Sequence, residues 1–167
     1  AAFTYDELGK VTQILGITHD ITEQKLAEEA LRRSEQQLGL IYDTVSDAIF
    51  LLSIEPDDRY RFISVNKAFL QSTGLNNDQV IGRYAHEIIP PESHHLVFGN
   101  YKRAIQERIP VTWEEVSEYP AGQKTAIVTV HAVYNEEAIC THLVGAVHDI
   151  TERKQMEKVV FEERDFS

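Results

Sequence analysis

Basic residues are in short supply: 16 Lys and Arg stand against 27 Asp and Glu, a formal charge of −11 at pH 7 with His neutral. That balance offers no basic stripe for a phosphate backbone or an anionic membrane and argues against a nucleic-acid partner. Its plain meaning is solubility. A single cysteine, Cys140, excludes an internal disulfide and fits a reducing compartment, so the expected location is the cytoplasm. No apolar run approaches the roughly 20 residues of a membrane span, and no signal peptide is visible. Catalytic signatures are missing too. There is no G-x-S-x-G, no phosphate-cradling glycine loop, no H-E-x-x-H and no paired-cysteine motif. The carboxylates are scattered over positions that read as helix surfaces and turns, where a solvated face is the default. The chain as it stands is expected not to be an enzyme.

What the sequence does contain is a repetition. HDITEQK at His19–Lys25 returns as HDITERK at His148–Lys154, an offset of 129 (148 minus 19). The match extends without a gap: Tyr5 falls on Tyr134, Glu7 on Glu136, Thr12 on Thr141 and Gly16 on Gly145. A chance heptapeptide would not carry matched flanks. Repeats of this kind mark tandem units, and residues 1–20 read as the closing strands of a truncated upstream copy of the unit that ends near Thr151. Each copy also has a local meaning. ILGI and LVGAV are short and apolar, as a buried strand is, and Asp followed three residues later by Glu is a capping-box pattern. Asp20 and Asp149 are therefore predicted N-caps of the helices that follow.

After Asp20 the chain runs to Val45 without proline, with Ala27, Leu31, Ser34, Leu38, Ile41 and Val45 spaced by alternating steps of four and three. That is a heptad seam, weak at Ser34, and it predicts a helix at 21–46 that pairs with the same helix of a second chain. DAIFLLSIEPDDRYRFISVN follows as a β-hairpin turning near Glu55–Arg59. Asn66 then caps a short helix that stops at Gly74, and NNDQVIG repeats the design up to Gly82. PPESHHLVFGNYKRAIQERIP is a longer helix, with His94, Phe98, Tyr101 and Ile105 on one face. Strand-like VTWEEVSEY, TAIVTVHAVY and ICTHLVGAVHD close the pattern, separated by PAGQK and NEEA. Two strands, several helices and three strands argue an α+β domain with one mainly antiparallel sheet.

At this point the residues resemble a known family. FISVNKAFLQSTGLNNDQVIGR, with Asn66, Phe69, Gly74 and Gly82, is similar to the first half of a PAS domain, and LVGAVHDITERK to its closing motif. The resemblance implies a five-stranded antiparallel sheet with helices over one face, often enclosing a ligand cavity, flanked by signalling helices. It divides the chain into an upstream tail (1–20), a linker helix (21–46), a complete domain (47–151) and an exit helix (152–167), with EERDFS leading toward a further domain. It also implies a multi-PAS parent of the sensor histidine kinase or cyclic-dinucleotide enzyme class, within a two-component system.

Cofactor branches of the family can be read position by position. Flavin photoreceptors carry an adduct-forming cysteine where GRYAHEII places Ala85; Cys140 lies in a late strand, so adduct chemistry is excluded, while non-covalent flavin binding stays open. In the haem branch a helix histidine ligates iron, and His94 with Tyr101 one face-turn on stands in a similar position; a surface or hydrogen-bonded His94 is the reading taken here. The adjacent His94 and His95 point apart on a helix, while His142 and His148 lie about 20 Å apart along a strand. No metal site is expected from them, nor from His131 or His19. Phe98, Tyr101, Trp113, Val128 and Val130 are the candidate pocket lining, and they serve equally well as plain core. The expected partners are a second copy of the chain, through helix 21–46 and exposed strand edges, and neighbouring PAS and output domains. The expected role is a sensory relay in which strand movement turns the helices capped by Asp20 and Asp149. A ligand-free dimerisation spacer is the alternative, with a His94 haem sensor as the lesser one.

Overall fold

The computed structural model describes residues 15–165 together with Glu7. It separates into two compact units, residues 1–41 and 42–167. In the first, helix α1 (Leu15–Thr44) begins and continues into the second. Its seam residues Leu31, Leu38 and Ile41 are all more than 60% exposed, as are Leu26 and Leu40 beside them.

Two features of this segment depart from expectation. From Leu15 the chain is helical rather than extended as ILGI was expected to be, and the rest of the expected upstream tail, Glu7 apart, lies outside the described residues. Asp20 consequently sits within α1 and is no N-cap. The reason is long-range. A strand needs neighbours for its amides and carbonyls, whereas a helix pairs them internally. The matching residues of the second copy have such neighbours on both sides; the described strands pair only with one another.

The second unit is built on a hairpin. Strand β1 (Ala48–Glu55) pairs antiparallel with β2 (Arg59–Val65), Leu52 opposite Phe62 and Glu55 opposite Arg59. The turn needs two left-handed residues, and Asp57 and Asp58 take them, at φ 64° and 53°, as short polar side chains tolerate. Helix α2 (Lys67–Thr73) is capped by Asn66 and stopped by Gly74 at φ 77°. Helix α3 (Asn77–Val80) opens on a reciprocal capping box between Asn76 and Gln79. Then come α4 (Ala85–Ile88), a 3₁₀ turn (Pro91–Ser93) and α5 (His94–Glu107). Strands β3 (Val111–Tyr119), β4 (Gly122–Tyr134) and β5 (Cys140–Asp149) complete the sheet, and α6 (Thr151–Asp165) follows directly.

The sheet order is β2-β1-β5-β4-β3, antiparallel throughout. This is the α+β architecture expected. Its edge-to-centre threading cannot be read from local pattern, because β5 returns to lie between β1 and β4. Phe50, Leu52, Tyr60, Phe62, Val128, Val130 and Leu143 alternate onto the face covered by the helices, where Phe69, Val97, Tyr101 and Ala104 meet them. The β3–β4 connection is tighter than the expected PAGQK loop: Tyr119 pairs with Gly122, leaving two residues between strands, with Gly122 at φ 120°. The Ala121 amide also donates to Thr73 O at 3.1 Å, anchoring the turn to the end of α2. No helix among the described residues is long and apolar enough to cross a membrane.

Candidate functional site

Between the helices and the inner face of the sheet lies a cavity of about 70 Å³. Six aromatic residues stand in its wall: Phe50, Phe62, Phe69, Tyr101, Trp113 and Tyr119. Of the five pocket residues expected from the sequence, Tyr101, Trp113 and Val128 line it. Phe98 and Val130 stand outside the wall. Phe98 stacks on Tyr60 at 5.8 Å between ring centroids, and Val130 is fully buried opposite Val111. The α5 face that turns inward is Val97, Tyr101 and Ala104 rather than one centred on Phe98, a rotation smaller than helical spacing alone resolves.

The polar lining was not foreseen. Glu115 and Ser117 face the cavity from β3 because, with Trp113 and Tyr119, they occupy every second position of that strand. The signal was present as alternation. Glu115 Oε2 accepts from Trp113 Nε1 at 2.8 Å, while its Oε1 has only Ser117 Oγ, at 3.5 Å. Ser117 Oγ lies 3.0 Å from Ser93 Oγ. Burial raises the Glu115 carboxyl above its ordinary range, and the Trp113 and Ser117 bonds only partly oppose this. The folded protein thus holds this proton more tightly than the unfolded chain. Stability falls as pH rises from the unfolded value near 4.5 through the raised folded one. Glu115→Gln is expected to remove that loss, raising the urea midpoint at pH 7 relative to the parent and leaving it nearly unchanged at pH 4. Parallel urea midpoints with equal gaps at both pH values would contradict this.

Neither haem nor a flavin suits these residues. Pockets for such ligands run to roughly several hundred Å³; this one has room for only a few waters. His94 does not border the cavity, and its Nε2 lies 2.7 Å from Ile89 O.

At the cavity rim the last strand meets α6. Asp149 lines the cavity, and its Oδ1 accepts from the Thr151 amide at 2.9 Å. The Thr151 hydroxyl donates to the same carboxylate and accepts from the Thr125 amide of β4 at 2.9 Å. Ile150 is buried, and its amide donates to Thr125 O at 2.8 Å. Lys124 Nζ stands 3.6 Å from Asp149 Oδ2. Burial pushes the Asp149 carboxyl up, but Thr151 and Lys124 outweigh it and leave it below the ordinary range. On the opposite side, His148 Nδ1 lies 2.7 Å from Asp47 Oδ1, joining the end of β5 to the segment after α1. The Asn66 carboxamide completes that connection: it accepts from Ile49 and Phe69 amides and donates to Tyr42 O and Asp47 O.

Residues 42–155 match the family model described as PAS fold. Along 95% of its length the chain is 24% identical to the uncharacterized protein y4lL of Sinorhizobium fredii. Along 81% it is 26% identical to the methyl sulfide methyltransferase-associated sensor of Methanosarcina acetivorans. It spans only 19% and 13% of those two proteins. Among solved structures, the PAS domain of a Colwellia psychrerythraea protein superposes with a TM-score of 0.61 at 20% identity, covering 70% of this chain and 97% of that one. The PAS domain of an HTR-like protein from Haloarcula marismortui gives 0.58 at 18% identity, covering 75% and 99%.

Proposed function

Because this chain belongs to the PAS fold family, we propose that it is the sensory relay of a larger signalling protein, passing a change in its sheet to α6 within a dimer. The observation that carries this reading is the Asp149–Ile150–Thr151 junction. No loop separates β5 from α6, and the junction is bonded sideways to β4 through Thr125. A shift of β5 against β4 must therefore move the first turn of α6. Dimerisation is assigned to the exposed seam of α1, where Leu31, Leu38 and Ile41 recur at heptad spacing. The parent is proposed to be cytoplasmic, with its output, of the histidine-kinase or cyclic-dinucleotide class, supplied by other domains.

The relay is tested by spin-label distances between the two copies of α6, labelled at Glu157. Asp149→Ala is expected to cost about 0.5–2 kcal/mol of cap stability and to broaden a narrow inter-copy distance distribution while the domain stays folded. Leu31→Asp with Leu38→Asp is expected to give monomers in sedimentation. A folded Asp149→Ala dimer with an unchanged distance distribution would favour the spacer reading over the relay.

A further inference from the structure

The cavity holds one carboxylate in its interior wall whose bonding is incomplete. Tyr101 is 2% exposed and lines the cavity. Glu115 Oε1 has only the long Ser117 contact. Several other polar groups on the wall are already engaged. Ser72 and Thr73 hydroxyls donate to Phe69 O, Ser117 is with Ser93, and Lys124 is paired with Asp149 at the rim. Around them stand aromatic rings: Trp113 meets Tyr101 edge-on at 6.2 Å between centroids, and Phe50 meets Phe69 at 6.3 Å and Tyr101 at 6.5 Å.

A carboxylate, an acceptor hydroxyl and aromatic faces, without a cation in the interior wall, describe a recognition chemistry. Rings attract cations through their negative faces, a carboxylate accepts from ammonium N–H groups, and the apolar remainder of the wall suits short alkyl carbon. Size sets the upper bound. At about 10–15 Å³ per water position, a cavity of about 70 Å³ admits roughly five non-hydrogen atoms. We propose that this cavity binds a small protonated alkylamine, its ammonium on Glu115 and the Tyr101 hydroxyl and its carbons against the rings. The proposal rests on the sensory reading above and gives that sensor its ligand class. It also supplies a route outward, because Asp149 borders the same cavity and holds the start of α6.

The three non-hydrogen atoms of ethylammonium limit its affinity to a Kd on the order of 1 mM. The test is a titration of the intact chain with ethylammonium chloride to about one hundred times that, against NaCl at equal ionic strength. Ethanol serves as the neutral analogue of equal size. Trp113 is the only tryptophan and donates to Glu115, so its fluorescence reports the site directly. Expected are a saturable change in Trp113 emission and a Tm rise of roughly 5 °C or more. Ethanol should give neither. Glu115→Gln should weaken binding at least tenfold, and Tyr101→Phe severalfold; a cooperative urea transition in each variant shows that it remains folded. The proposal is overturned if ethylammonium acts no differently from NaCl, if ethanol acts as strongly, or if Glu115→Gln binds as the parent does. Failure here with an α6 distance that still responds to Asp149→Ala removes the amine and leaves the relay. Saturable binding with an unresponsive α6 leaves the amine and removes the relay.

Discussion

Replacing Asn66 with Ala is expected to lower stability by about 3 kcal/mol or more, the largest loss foreseen for any single polar side chain in the domain. Asn66 is fully buried, and its carboxamide makes four hydrogen bonds: from Ile49 N at 2.9 Å, from Phe69 N at 3.1 Å, to Tyr42 O at 3.0 Å and to Asp47 O at 2.9 Å. That is the capacity of the group. Truncation removes the cap of α2 and strands partners around a buried site, where an unmet backbone group costs about 1–3 kcal/mol. Asn66→Asp separates the two halves of the argument. It keeps an oxygen for Ile49 and Phe69 but turns the other toward two carbonyls. It should be nearly as damaging at pH 7, and should recover in part in acid, where a protonated oxygen can donate once. Urea midpoints at pH 7 and pH 4 read both effects. A loss under about 1 kcal/mol for Asn66→Ala would show that water replaces the carboxamide.

The second large effect is steric. Gly145 lies on β5 directly across from Phe50 on β1, and a Cβ built at Gly145 would fall well inside contact distance of the Phe50 ring. That ring is held in turn, edge-on to Phe62 at 6.1 Å and to Phe69 at 6.3 Å. Its one open side is the small cavity it lines, and moving there would break these ring contacts. Gly145→Ala should therefore destabilise by roughly 3 kcal/mol, at the upper end of overpacking costs. Phe50→Leu in the same chain should restore part of the loss, making the double variant more stable than Gly145→Ala alone even though Phe50→Leu is harmful by itself. Such non-additivity is the signature of a contact pair. Additive losses would mean that the strand backbone, not the ring, absorbs the methyl group.

Gly145 also shows how far the repeated string could be read. Its match to Gly16 marked the position, and the facing ring supplies the reason. The capping arithmetic of the two copies fared differently. Asp149 accepts from the Thr151 amide, but the cap position itself falls on Ile150, whose carbonyl accepts from the Lys154 amide, so Asp149 stands one residue before the predicted N-cap role. Asp20, with the same neighbours in sequence, lies inside α1. The hairpin turn at Asp57–Asp58, the Asn66 cap and the Gly74 stop depend on residues a few positions apart, and each was legible for that reason.

The cavity was legible only in part. Trp113 and Tyr101 announced themselves as bulky apolar residues on plausible faces. Glu115 did not, since a carboxylate in a strand reads as solvated until the helices that cover it are in place.

By itself, then, the sequence determined the order of elements from the hairpin onward, the Asn66 cap and Gly74 stop, the hairpin turn, the inward alternation of the strands and the family. These depend on local backbone preference and on side-chain period, which neighbouring residues settle among themselves. Tertiary structure alone decided that β5 lies between β1 and β4, and that the space under the helices is small and faced by Glu115. Each of these depends on partners brought from far along the chain, and the free energy of burying a group is set by what arrives to cover it.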